Sequence, residues 1–166
     1  MPLHPRGAES QSLRPRTATA APSQNLLVGR LLSGREINMG ASLRFVASVK
    51  PVVRASGVKR VVRAEVVKIT QPVSLLGDFD PETGRLLGVD VVGKIVALPY
   101  VKGSTVGPYL MWSASRRGKI PLAVVAEKPD LMLVTACVLA NVPLFQGVME
   151  EGCVELDLES GEYVKC

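Results

Sequence analysis

The segment Leu98-Pro99-Tyr100-Val101-Lys102-Gly103-Ser104-Thr105-Val106-Gly107-Pro108 gathers the groups in this chain best suited to a reaction or to holding an anion. An apolar, β-branched run enters it, and a helical pattern leaves it with Pro108 at the first helical position. A loop placed this way stands at a helix N-terminus. Backbone N–H groups there have no intrahelical acceptor, and the helix dipole adds partial positive charge. Such a site suits a bound carboxylate or phosphate. It equally suits a serine that must become an alkoxide, because the same field stabilises the oxyanion. Ser104 lies between Lys102 and the helix, and Gly103 lets backbone or ligand come close. The same residues also read as an ordinary N-cap, since Ser and Thr precede many helices for that reason alone. Two better-known loops are excluded. A Walker loop needs GxxxxGK[ST], and a nucleophile elbow needs glycines at 102 and 106.

A second polar cluster is Gly77-Asp78-Phe79-Asp80-Pro81-Glu82-Thr83-Gly84. Its acids Asp78, Asp80 and Glu82 can ligate a cation, or the stretch is a turn in which Pro81 presets φ and Gly84 takes the left-handed exit. The oxygen ligands and terminal Glu of an EF-hand are missing. The single histidine, His4, leaves little room for His-based metal sites or triads. Cys137, Cys153 and Cys166 show no CxxC spacing and sit among apolar neighbours, which predicts free thiols, buried or terminal. We therefore expect no metal site on this chain. An odd cysteine count without a secretory signal points to a reducing compartment, and so to the cytoplasm.

The net charge of +5 is unevenly placed. Residues 1–60 carry 10 Lys/Arg and 2 Asp/Glu; residues 61–166 carry 10 and 13, so the body is mildly acidic. No interleaving of basic and aromatic residues marks a nucleic-acid face, and we expect no nucleic-acid partner. The first 25 residues are rich in Pro, Arg, Ala and Ser with Glu9 as their only acid. Such a composition buries too little surface to offset its ordering entropy. It has no apolar core of a secretory signal, although Arg-rich, acid-poor stretches also serve as transit peptides. The reading is a basic, flexible extension over 1–55 and a folded domain over 56–166.

The elements that carry the two loops follow from pattern. Strands are predicted at Leu43–Val49, Val61–Thr70, Val91–Tyr100, Leu122–Ala126 and Val142–Phe145. Helices are predicted at Tyr109–Arg117, closed by Gly118, and at Leu131–Ala140, opened by Pro129-Asp130 and ended by Asn141. Val154–Leu158 and Glu162–Lys165 form a hairpin around Glu159-Ser160-Gly161. The longest apolar run, Leu131–Ala140, is about half of a roughly 20-residue membrane span, so no membrane association is expected. Strands alternating with short helices make a mixed α/β domain.

Taken together, Gly77-Asp78-Phe79-Asp80-Pro81-Glu82-Thr83-Gly84, then Val101-Lys102-Gly103-Ser104-Thr105-Val106-Gly107, then a helix and Leu122-Ala-Val-Val-Ala-Glu-Lys128, resemble the swivel domain of the aconitase X family. The resemblance spans about residues 60–146. It implies a swivelling β/β/α domain with a flexible N-terminal extension, forming the small subunit of a heterodimer or larger assembly. The implied activity is that of a hydro-lyase in the archaeal mevalonate route to isoprenoids, dehydrating (R)-5-phosphomevalonate to trans-anhydromevalonate 5-phosphate. A 4Fe-4S cluster is implied in the large subunit and not on this chain. Ser104 is the implied proton-abstracting residue, with Lys102, Gly103, Thr105 and Gly107 on the substrate and Asp78 and Asp80 supporting the loop. The family usually has Arg where this chain has Lys102, which replaces a bidentate fork by a point charge. Two other readings stay open: a related dehydratase or isomerase of another small hydroxy acid, and an anion-binding interaction module without chemistry.

Overall fold

The computed structural model describes residues 34–39, 42–103 and 105–166, with side chains described from Phe45 onward. Ser104 and the first 33 residues, His4 among them, lie outside the described residues. The architecture is mixed α/β. Its parallel centre consists of β4 (Val61–Lys68), β8 (Ile95–Leu98), β9 (Ala123–Ala126) and β10 (Leu144–Gln146). Antiparallel strands extend this centre on both sides. On one side are β11 (Gly152–Asp157), β12 (Glu162–Lys165), β2 (Ser42–Ser48) and β1 (Gly34–Met39); on the other is β3 (Lys50–Val53).

Only Val49 separates β2 from β3. The first half of this stretch pairs with β12 and the second with β10, so one continuous segment joins the two rims and closes the sheet on itself. The join is tight: Val49 donates its N–H to the Gly161 carbonyl at 2.9 Å. Gly161 has φ +80°, and a Cβ there would overlap the carbonyl oxygen of Val49. Alternation then sorts the side chains. Val66, Ile95, Ala97, Ala123, Val125, Phe145, Val154 and Leu156 fill the interior with Val49 and Met149.

The alternate residues Val96, Leu98, Val124, Ala126 and Leu144 face a second core under the helices. Those helices are α1 (Leu75–Asp78), α2 (Gly107–Arg116) and α3 (Leu131–Ala140). A three-stranded meander, β5 (Phe79–Asp80), β6 (Arg85–Leu86) and β7 (Val89–Asp90), lies on the same side and contributes Phe79 and Leu86.

Local chemistry explains the helix ends. Asp130 caps α3 by accepting from the Leu133 N–H at 2.9 Å, and Asn141 closes it in the left-handed region at φ 54°. Asn141 also accepts from the Ser56 N–H at 2.9 Å and donates to the Ser56 carbonyl at 2.8 Å, tying the helix end to the chain leaving β3. α2 begins at Gly107, two residues before Tyr109, because Pro108 supplies a helical φ inside the first turn. The strand predicted over Val91–Tyr100 contracts to Ile95–Leu98. Gly93, at φ 68°, turns the chain before it, and Pro99 has no N–H to continue it.

Two expectations meet a different arrangement. Three strands lie ahead of residue 56, where composition draws the domain boundary: β10 holds β3, β12 holds β2, and β2 in turn pairs with β1. All three cysteines were predicted to be free thiols, but Cys153 and Cys166 form a disulfide. The antiparallel register of β11 and β12 sets them opposite each other with Cα atoms 5.3 Å apart, an adjacency that a 13-residue separation conceals. Cys137 is a buried free thiol on α3.

Candidate functional site

The loop 101–107 leaves the C-terminal end of β8 and enters α2, at the edge of the parallel strands where open α/β sheets place their ligands. The chain following β4 holds one side of it. Val73 and Val101 form a parallel bridge: the Val73 N–H donates to the Tyr100 carbonyl at 3.1 Å, and the Lys102 N–H donates to the Val73 carbonyl at 2.8 Å. Both valines are buried. Gly107 packs on α1, where a Cβ would stand 3.0 Å from that of Leu75. The loop is thus anchored at its entry and its exit, and Lys102, Gly103 and Thr105 between these anchors are exposed.

Gly103 has φ +105°, a conformation that favours glycine. The residue capping α2 is Val106, whose side chain cannot accept a hydrogen bond from the helix N–H groups. No described acidic side chain stands in the first turn of α2. The helix start therefore presents its dipole to the loop with no carboxylate of a described residue in its first turn to offset it. Lys102 makes no ion pair with a described residue, so its ammonium adds positive charge to the same place.

Asp78 sits beside this loop. Its Oδ2 accepts from the Ser74 N–H at 2.8 Å, while its own N–H donates to the Ser74 carbonyl at 2.8 Å. Asp80 is engaged elsewhere. It accepts from the Glu82 N–H at 2.9 Å and from the Thr83 hydroxyl at 2.8 Å, and these bonds hold its carboxyl below the usual range. The charge of Arg117, at the far end of α2, also reaches it. Asp80 is a turn-forming residue, its carboxylate oxygens engaged by Glu82 and Thr83. Gly84 completes that turn by donating to the Asp80 carbonyl at 2.9 Å.

Sequence pattern passed over two features of the site. Segment 73–78 is too short to show a period, although a serine four residues ahead of an aspartate was its trace. The other feature is an apolar rim. Leu76, Tyr100 and Tyr109 are 53%, 41% and 64% exposed around the loop, and Trp112 follows on α2 with the Arg116 guanidinium 5.8 Å from its ring centre. Among the described residues no group of three or more His, Cys, Asp or Glu can hold a metal ion. Cys153 and Cys166 are bonded to each other, and burial pushes the Cys137 thiol up to about 12, keeping it protonated. The described residues do not fit an iron–sulfur cluster. No helix among them is long and apolar enough to cross a membrane.

Known proteins resemble this chain in sequence and in fold. A phosphomevalonate dehydratase small subunit from Pyrococcus abyssi is 36% identical over 97 residues, covering 54% of this chain and 75% of its own. One of the same name from Methanopyrus kandleri is 37% identical over 115 residues, covering 65% and 84%. The crystal structure of Thermococcus kodakaraensis aconitase X in its holo form superposes with a TM-score of 0.63 at 27% identity, covering 73% of this chain and 98% of the other. A UPF0107 protein solved by solution NMR shares the fold, with a TM-score of 0.61 at 23% identity over 73% and 98%. Residues 52–166 match the model of the aconitase X swivel domain, and the chain belongs to that family.

Proposed function

We propose that this chain is the small subunit of a heteromeric hydro-lyase that dehydrates (R)-5-phosphomevalonate to trans-anhydromevalonate 5-phosphate in the cytoplasm, with Ser104 as the base. Family membership and the names of the relatives support the reaction class. The geometrical observation behind the residue assignments is the anchored loop, in which Gly103 and Thr105 flank Ser104 in the chain.

The chemistry follows in order. The C–H bond beside the substrate carboxylate breaks and its proton passes to the Ser104 oxygen. Its electron pair forms the new C=C bond as the C–O bond to the neighbouring hydroxyl breaks, and that oxygen leaves as water after taking up a proton. Serine is a weak base at its ordinary pKa. The uncompensated start of α2 and the Lys102 ammonium both favour the alkoxide, more strongly once water is excluded. Lys102 and the N–H groups of Gly103, Thr105 and Gly107 then receive anionic substrate oxygens, and Asp78 steadies the loop from below. The apolar rim of Leu76, Tyr100 and Tyr109 seats the large subunit, so that docking closes the loop over substrate. On this reading the 4Fe-4S cluster belongs to the large subunit, as the described residues of this chain offer no place for it.

Co-purification with the large subunit and an assay of 5-phosphomevalonate dehydration test the proposal. The pair turns over and either chain alone does not. Ser104→Ala still assembles but loses about 10²–10⁴-fold in kcat. Undiminished turnover in that variant would overturn the assignment of the base. A pair that assembles but dehydrates only a different hydroxy acid would overturn the substrate.

A further inference from the structure

The space above Gly103 has one neighbour among the described residues. Apart from the residues adjoining Gly103 in the chain, the only heavy atom of a described residue within 4 Å of where its Cβ would stand is the Ser74 hydroxyl oxygen, at 3.4 Å. Ser74 occupies the cap position of α1, yet its hydroxyl caps nothing and makes no hydrogen bond to a described residue. The backbone around it is fixed on both sides. Its N–H is held by the Asp78 carboxylate and its carbonyl by the Asp78 N–H, while Val73 is bridged to Val101 and bonded to Lys102. A half-buried donor on a pinned backbone, with no acceptor among the described residues, is preorganised for an acceptor from outside.

We propose that Ser74 is a further substrate contact, its hydroxyl donating to an anionic oxygen of a ligand seated over Gly103, and that Asp78 positions it. The inference rests on the reading of loop 101–107 as the substrate loop. The acceptor is a carboxylate or a phosphate oxygen, the two anionic ends of the proposed substrate.

The test is steady-state kinetics of the assembled enzyme with 5-phosphomevalonate. Ser74→Ala raises KM about tenfold and changes kcat less than about threefold, the effect of losing a hydrogen bond to a charged group. Its thermal midpoint stays at the wild-type value, because the hydroxyl has no bond to a described residue to lose. Ser74→Thr, which keeps the hydroxyl, restores KM. Asp78→Ala raises KM in the same direction, and Asp78→Asn, whose amide oxygen still accepts, rescues it. Weaker competitive inhibition of Ser74→Ala by inorganic phosphate assigns the phosphate end, and weaker inhibition by mevalonate assigns the carboxylate. An unchanged KM in Ser74→Ala overturns the proposal, as does a raised KM that follows a lowered thermal midpoint. Should the wild-type pair be inert, the functional reading fails by itself. Titration of the full chain with inorganic phosphate and with acetate, followed at the Gly103 amide by NMR, then reads the same contact. A shift lost in Ser74→Ala supports it, and equal shifts in both proteins overturn it.

Discussion

A lysine at 102 brings charge to the loop in compact form. Its ammonium is a strongly hydrated point charge on a flexible stem, whereas a guanidinium presents a planar fork. Lys102→Ala is expected to raise KM for an anionic substrate by about tenfold or more. Lys102→Arg keeps the charge and adds the fork, so its KM returns to within about threefold of wild type, as steady-state kinetics on the assembled pair will read. At this level the sequence was informative where type and order carry the meaning: Lys102, Gly103 and Thr105 do share one exposed stretch. It was silent on Ser74, whose relevance arises only because β4 and β8 are parallel neighbours and bring residue 73 beside residue 101.

The helices could be read because their ends are written in residue chemistry. Pro108 and Gly118 bracket α2, and Asp130 and Asn141 bracket α3 to the residue. The strands of the meander are two residues each and α1 is four, shorter than any period they could display. β3 contains a proline, Pro51, and is a strand because β10 selects it. The joins between elements are where single changes act most strongly. Gly161→Ala places a methyl on the Val49 carbonyl at a φ that L-residues avoid, and it is expected to cost about 2–4 kcal/mol in urea unfolding. Breaking the Cys153–Cys166 link with paired serines is expected to cost about 3 kcal/mol, the chain-entropy value for a loop of about this length. The deficit disappears when both proteins are compared in excess reductant.

Titration of the molecule as a whole sets its acid limit. Lys68, bonded to Glu150 at 2.7 Å, holds that carboxyl down, and hydrogen bonds from Glu82 and Thr83 do the same for Asp80. Burial pushes the Asp157 carboxyl up, but the N–H groups of Glu159 and Ser160 and the Arg60 guanidinium outweigh it and leave the group lowered. A carboxyl lowered on folding binds fewer protons in the native state than in the unfolded one. It contributes its stability above the unfolded value of about 4 and loses it as pH falls through the folded value. The thermal midpoint is therefore expected to be flat from pH 7 to 5 and to fall below about pH 4. Asp157→Asn should show a shallower fall in a circular-dichroism melt series. The segment bridging the two rims has a consequence for the order of events during synthesis. Its neighbours are β10 and β12, which lie toward the other end of the described chain, so β3 waits for β10, and the edge of β2 that does not face β1 waits until β12 has left the ribosome. Closure is the last step of folding, and the nascent chain is open to strand-mediated aggregation until it happens.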